Sequence, residues 1–226
     1  MSGPVSDAKS APADRETTGP FDESEVSGVR PWVDLGALKL IPREGLNLRL
    51  EVEEGSGRVV AVGMDYLGST LQVQAYSTSR SSGLWHEVRN QLAEQIVTQG
   101  GTVTEALTEL GPELQGRVPA IVEGSHVLQD ARFIGVDGPR WFLRGVIAGP
   151  AAKDAEQGAK LVELFRDIVV VRGQQPMPPR ELLPLRVPEQ ASGIAPTQRR
   201  SCLSAGARRR RPASPVARHG WCPRAD

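Results

Sequence analysis

A succession of short runs in which apolar and polar residues alternate, joined by links too short to hold a crossover, constrains this chain more than anything else in it. Leu46, Leu48, Leu50 and Val52 point one way and Asn47, Arg49 and Glu51 the other, the pattern of a half-buried strand. Turn residues at 53–57 separate it from the β-branched run 59–62 leading to Met64 and Tyr66. Leu67-Gly68-Ser69 then precedes a further alternation through Leu71, Val73 and Ala75, and Leu35, Ala37 and Lys39 mark a weaker strand ahead of them all. Parallel neighbours need a connection of about a dozen residues or more, so strands linked this tightly pair antiparallel. The first half therefore reads as a four-stranded meander.

At 82–99 the period changes. Trp85, Val88, Leu92 and Ile96 recur three or four apart and Gly100-Gly101 supplies a stop, which predicts an amphipathic helix. Shorter strand candidates follow at 103–107 and 114–121, then a polar turn at 123–125. Next comes a hairpin whose turn reads as Asp137-Gly138, flanked by 127–136 and 140–148. Pro150 and Asp154 open a second helix with Leu161, Leu164 and Phe165 facing inward, and 168–171 is a closing strand. The order is ββββα followed by ββββαβ: an α+β domain with a mainly antiparallel sheet and two helices packed mostly on one face.

The apolar residues that could build a core lie between Trp32 and Val171, which sets one domain at about 30–173. Residues 1–29 are polar and acidic, too poor in apolar groups to repay the entropy of ordering, and are expected to be disordered. Five prolines at 176–188 predict an extended arm over 174–188, with Met177, Leu182, Leu183 and Leu185 available to lie on the core. Residues 189–226 form a basic tail, again expected to be disordered, with four consecutive arginines at 208–211. Both cysteines, Cys202 and Cys222, fall in that tail, so the core holds no disulfide and no thiolate metal site, which suits a reducing compartment. With neither a leader pattern nor a long apolar run, a cytoplasmic protein without a membrane partner is expected.

A two-residue Asp137-Gly138 turn pairs positions whose numbers sum to 275, setting Ile134 against Trp141 and Phe133 against Phe142. Ile134, Trp141, Leu143 and Ile147 then share one face, and Phe133, Arg140, Phe142, Arg144 and Val146 the other. Aromatic rings among arginines could anchor an acidic partner protein or stack on nucleic acid. The plainer reading, a partly solvated face with arginine stems covering the rings, is the more common outcome. Phe133, Arg140, Phe142 and Arg144 are the candidate binding residues.

Nothing comparable marks a catalytic centre. His86 falls on the outward side of the helix that Trp85 and Val88 define, and Asp34, Asp65, Asp130 and Asp137 are dispersed near turns, where Asp serves local hydrogen bonds. Residues 135–139 lack the Lys-Ser/Thr of a phosphate loop and join strand to strand, and no serine sits in a Gly-x-Ser-x-Gly elbow. No catalytic residue, cofactor or metal is assigned.

The blocks GPFDESEV (19–26), VDLGALKL (33–40), SGLWHEVR (82–89), RFIGVDGPRWFLRGVIAGPAA (132–152) and FRDIVVVRGQQPMPPRELLPLRVP (165–188) resemble the actinobacterial domain of unknown function 3710 family, over about residues 19–188. The resemblance implies a conserved cytoplasmic protein without an established activity, and transfers no catalytic residue. His86 stands where relatives are expected to carry an acid, which argues further against a catalytic histidine. The element order is also similar to the Mog1/PsbP-like α+β sandwiches, mostly partner-binding modules, an analogy of fold alone. Past Pro188 the resemblance stops, and the Arg, Ala, Pro, Ser and Gly usage is that of GC-rich coding read out of frame, so the tail is read as a frameshift product. A non-enzymatic protein-binding or adaptor module is the leading expectation. Nucleic-acid or nucleotide binding through the Arg/Phe face is the runner-up, opposed by a core of nearly balanced charge, and an enzyme of unknown type comes third.

Overall fold

Strands joined by tight turns build the sheet in the computed structural model, which describes residues 8–28, 30–53, 55–122 and 125–187 and the backbone of 196–197. In chain order the elements are α1 (Arg15–Thr18), β1 (Phe21–Asp22), β2 (Val33–Asp34), β3 (Leu38–Leu40), β4 (Asn47–Val52), β5 (Val59–Tyr66), β6 (Ser69–Ser77), α2 (Trp85–Thr98), β7 (Thr102–Thr108), β8 (Gly111–Val122), β9 (Ser125–Asp137), β10 (Trp141–Ala148), α3 (Ala155–Arg166), β11 (Val169–Val170) and β12 (Pro196–Thr197). From β3 to β11 this is the expected ββββα-ββββαβ order, and the class is α+β with mainly antiparallel sheets.

The strands divide between two sheets. Eight form the order β12-β4-β5-β6-β10-β9-β8-β7, and four short ones form β1-β11-β3-β2. The expected meander is therefore three strands, because β3 leaves for the smaller sheet, where it pairs with β2 and β11. The link that makes one sheet of two hairpin groups is β6 with β10, in register over eight pairs from Trp141 with Ser77 to Ala148 with Thr70.

Each face of that sheet carries a buried apolar cluster, and the helices take opposite sides. Leu71, Val73, Ile134, Trp141, Leu143 and Ile147 pack with Leu161, Leu164 and Phe165 of α3 and with Leu38 and Val170 of the small sheet. On the other face Leu114, Phe133 and Phe142 pack with Trp85, Leu92 and Ile96 of α2. The one-sided arrangement expected from the sequence fails because β9 and β10 are apolar on both faces, as a strand must be when each face meets a layer. Gly135 makes room for α2: a Cβ there would lie 2.5 Å from the Trp85 ring, which stacks on Phe142 at 5.8 Å between centroids.

The β9–β10 turn lies two residues further on than expected. Phe142 faces Asp137, Gly138 donates its N–H to the Trp141 carbonyl at 2.8 Å, and the turn residues are Pro139 and Arg140. Pro is favoured at the first corner of such turns. Asp137 is withdrawn for another use: its carboxylate accepts the N–H groups of Leu84 at 2.8 Å and Ser10 at 2.9 Å, capping the start of α2 from 53 residues away. The register moves by an even number, so each side chain keeps its expected face.

Residues 8–28, expected to be disordered, pack on the domain. Arg15 is 7% exposed, lies over the Trp141 ring and forms a two-pronged ion pair with Glu25, while the Trp141 indole N–H donates to Asp22 at 2.8 Å. β1 runs parallel to β11. Few apolar residues are involved, so composition gave no sign of an anchor made by a buried guanidinium. The proline-rich arm also docks. Beyond the pair Val62–Val73 strands β5 and β6 part, and the arm enters the gap: Leu183 N–H donates to Ala75 and Arg180 N–H to Ser77, and Leu185 bridges Val59 and Gly36. Residues 1–7 and, apart from the backbone of β12 beside β4, 188–226 lie outside the described residues.

Gly135→Ala is expected to lower the unfolding free energy in urea by about 1–3 kcal/mol, because Trp85 must move off the sheet. A second test concerns Asp22. Burial pushes its carboxyl up, but the hydrogen bonds from Ser24 and Trp141 and the Arg15 charge outweigh it and hold the group below its ordinary 3.8. A carboxyl depressed on folding contributes stability at neutral pH that is lost as the pH falls through the folded value. Trp141 fluorescence should therefore report release of the amino-terminal segment below about pH 4, and Asp22→Asn should remove that part of the acid transition.

Candidate functional site

Helix α2 lies across β7, β8 and β9, so it covers only part of its face of the main sheet. On that face β4, β5 and β6 present polar side chains. Alternation and register place Arg49, Glu51, Asp65, Thr70, Gln72, Gln74, Tyr76 and Arg144 together there. Most are paired with one another. Arg49 Nη2 donates to Asp65 at 2.8 Å, the Thr70 hydroxyl donates to the same carboxylate at 2.6 Å, and the Gln72 amide donates to Glu51.

Arg144 is different. It is 5% exposed, yet among the described residues no carboxylate forms an ion pair with it. Its Nε has no hydrogen-bond partner, Nη1 makes a long bond of 3.4 Å to the Gln74 side-chain oxygen, and the guanidinium is also within hydrogen-bonding reach of the Tyr76 hydroxyl. The parting of β5 from β6 fixes that oxygen: the Val60 carbonyl, no longer paired with β6, accepts the Gln74 amide at 3.2 Å, which turns the Gln74 oxygen to the Tyr76 hydroxyl at 3.1 Å. Burial pushes the Tyr76 phenol up, and the charge of Arg144 together with its hydrogen bond pulls it part of the way back. A buried guanidinium costs several kcal/mol unless an anion compensates it. The arrangement is chemically suited to accept a carboxylate or phosphate oxygen at the Arg144 guanidinium, while the Tyr76 proton is already held by the Gln74 oxygen.

Of the four residues singled out from sequence, Phe133 and Phe142 are fully buried, beneath α2. Arg140 is in the β9–β10 turn, where its guanidinium donates to the Gly173 carbonyl at 2.7 Å. Only Arg144 combines the expected face with an unsatisfied charge. The structure thus shares Phe133, Phe142 and Arg144 over one face and separates Arg140 from them. Gln74 and Tyr76 were missed; their alternation in β6 was legible, but a contact with β10, some 66 residues on, was not.

His86 lies on α2 with its ring nitrogens 3.3 Å from Arg89 Nη2 and Asn90 Nδ2. The carboxylates are engaged within the fold: Asp34 accepts the Gly36 N–H, Asp130 pairs with Lys153, and Asp137 holds the distant Leu84 and Ser10 amides. A cleft between α3 and β9, lined by Glu109, Gln115, Arg132, Lys153 and Asp154, has its cations matched, Arg132 by the buried Glu113 and Lys153 by Asp130. No helix among the described residues is long and apolar enough to cross a membrane.

The model of a family described as "Protein of unknown function (DUF3710)" matches residues 19–193. No curated protein matches the chain.

Replacing Arg144 by Met removes a buried charge and keeps much of the stem. The unfolding free energy is expected to hold or rise by on the order of 1 kcal/mol, and the Tyr76 phenol to titrate still higher in an ultraviolet pH titration. A clear loss of stability would show that the guanidinium is satisfied within the fold.

Proposed function

The chain belongs to the DUF3710 family, whose description assigns no activity, and on the character of its sheet face we propose that it is a non-enzymatic protein-binding module of the cytoplasm. The partner-reading surface is the half of the main sheet beside α2, with Arg144 receiving an acidic side chain between Gln74 and Tyr76. One observation carries this reading: Arg144 is nine-tenths buried with no carboxylate partner among the described residues, a cost that a partner's acid would offset on binding. Interfaces use arginine and tyrosine in this way more than other polar side chains.

The test is affinity recovery on the immobilised full chain, run with the unaltered protein, with Arg144→Gln and with Arg140→Glu. A discrete partner should be retained by the unaltered chain and by Arg140→Glu, and lost with Arg144→Gln, with recovery falling as salt is raised. Equal recovery by all three would overturn the reading. A salt-dependent shift of single-stranded DNA that Arg144→Gln abolishes would replace it with nucleic-acid binding.

A further inference from the structure

Strand β7 ends the main sheet, and the one charge in its sequence, Glu105, is paired with Arg89 of its own chain. Thr102–Thr108 reads TVTEALT, without proline or a basic residue, and its register with β8 runs unbroken from Thr102–Arg117 to Thr108–Gly111. Soluble proteins usually blunt an edge of this length with a bulge, a proline or a lysine.

The ladder fixes which groups the edge offers. Leu107 faces Pro112, which has no N–H, so that pair is of the non-hydrogen-bonded kind. Alternation then spends Thr102, Thr104, Ala106 and Thr108 on bonds to β8. The N–H and C=O groups of Val103, Glu105 and Leu107 point away from the sheet. Their side chains share the face of α2, where Val103 packs against the cluster of Leu92 and Ile96 and Glu105 pairs with Arg89 at 2.6 Å.

Two exposed apolar side chains stand beside this edge. Leu107 is 82% exposed and Val97, in the last turn of α2, is 61% exposed, the highest values among the large apolar residues described. Arg89 reaches over to β7, so positions three, four and eight away on the helix, His86, Ala93 and Val97, lie on the same side of α2.

We propose that β7 pairs antiparallel with β7 of a second copy, about a two-fold axis through Glu105, joining two eight-stranded sheets into one. The occupant is a second copy because the edge is complementary to itself. Placing Glu105 opposite Glu105 sets Val103 opposite Leu107 on both sides, and the three outward N–H groups and three outward C=O groups of each chain all find partners. The same register lays Leu107 of one chain against Val103 and beside Val97 of the other, covering both exposed side chains. The facing carboxylates at the axis are each already held by Arg89, so two cations and two anions meet there. This pairing is independent of the Arg144 surface, which lies on the far strands of the sheet.

Sedimentation of the full chain at tens of micromolar should give a dimer mass. Leu107→Lys, which adds the charge such edges usually carry, should halve that mass with an unchanged far-ultraviolet spectrum. In a Cys202→Ser, Cys222→Ser background, Glu105→Cys should cross-link between chains on mild oxidation, since opposed residues of a hydrogen-bonded antiparallel pair lie about 5.5 Å apart at Cα, within disulfide reach. Ala106→Cys, on the other face and off the axis, should not. A monomer for the unaltered chain, or a dimer that survives Leu107→Lys without cross-linking at position 105, would overturn the proposal. If Leu107→Lys fails to fold, the two cysteine variants decide.

Discussion

The pairing of β6 with β10 is the contact on which the rest of the structure depends. It joins strands separated by a helix and three other strands in the chain, and it extends over all eight residues of β10. Without it β4–β6 and β7–β10 would be two small sheets, and the apolar surface under α3 would be divided between them. With it, Leu71, Val73, Leu143 and Ile147 become one apolar surface for α3 and the small sheet, and Tyr76 stacks on Phe142 at 5.9 Å on the opposite side. A pairing of such sequence separation carries a loop-closure cost that only burial on both faces can offset.

The same contact explains why the face beside α2 is divided in character. Beneath the helix it is aromatic and dry, Trp85 lying on Phe142 over the space that Gly135 leaves. On β4–β6 it is a mat of paired polar groups. Arg144 stands at the boundary and belongs fully to neither: it is nearly buried, and the carboxylates of that mat, Asp65 and Glu51, are engaged by Arg49 and Gln72. Its partner Gln74 is held by a carbonyl that the parting of β5 and β6 sets free, so the site is a by-product of how the sheet splits to admit the arm.

Local features of the fold were legible in the sequence. The period-two runs gave the strands, the three-to-four spacing of Trp85, Leu92 and Ile96 gave α2, and Asp154 does cap α3 through the Gln157 N–H. The faces of β9 and β10 were also right, although the turn was set two residues early, because only an odd shift would have exchanged them. What the sequence did not disclose is non-local. Asp137 looks like a turn residue until the Leu84 and Ser10 amides are seen to converge on it, and Phe133 and Phe142 look available until α2 is laid over them. The acidic amino end is polar by composition, yet Arg15 buried over Trp141 ties it down. Of the candidate site, the sequence indicated Arg144 and its face, and the structure added Gln74 and Tyr76.

The arm at 180–187 has a consequence for the order in which the molecule can be completed. It occupies the gap between β5 and β6, strands made more than 100 residues earlier, and it ties the small sheet to the large one through Leu185 and the Pro184 carbonyl. During synthesis the hairpins, α2 and α3 can assemble as they emerge, but a wedge in the middle of the main sheet stays open, with the Ala75 carbonyl and the Ser77 N–H exposed. A segment translated after both long helices is thus the one that closes strands made long before it.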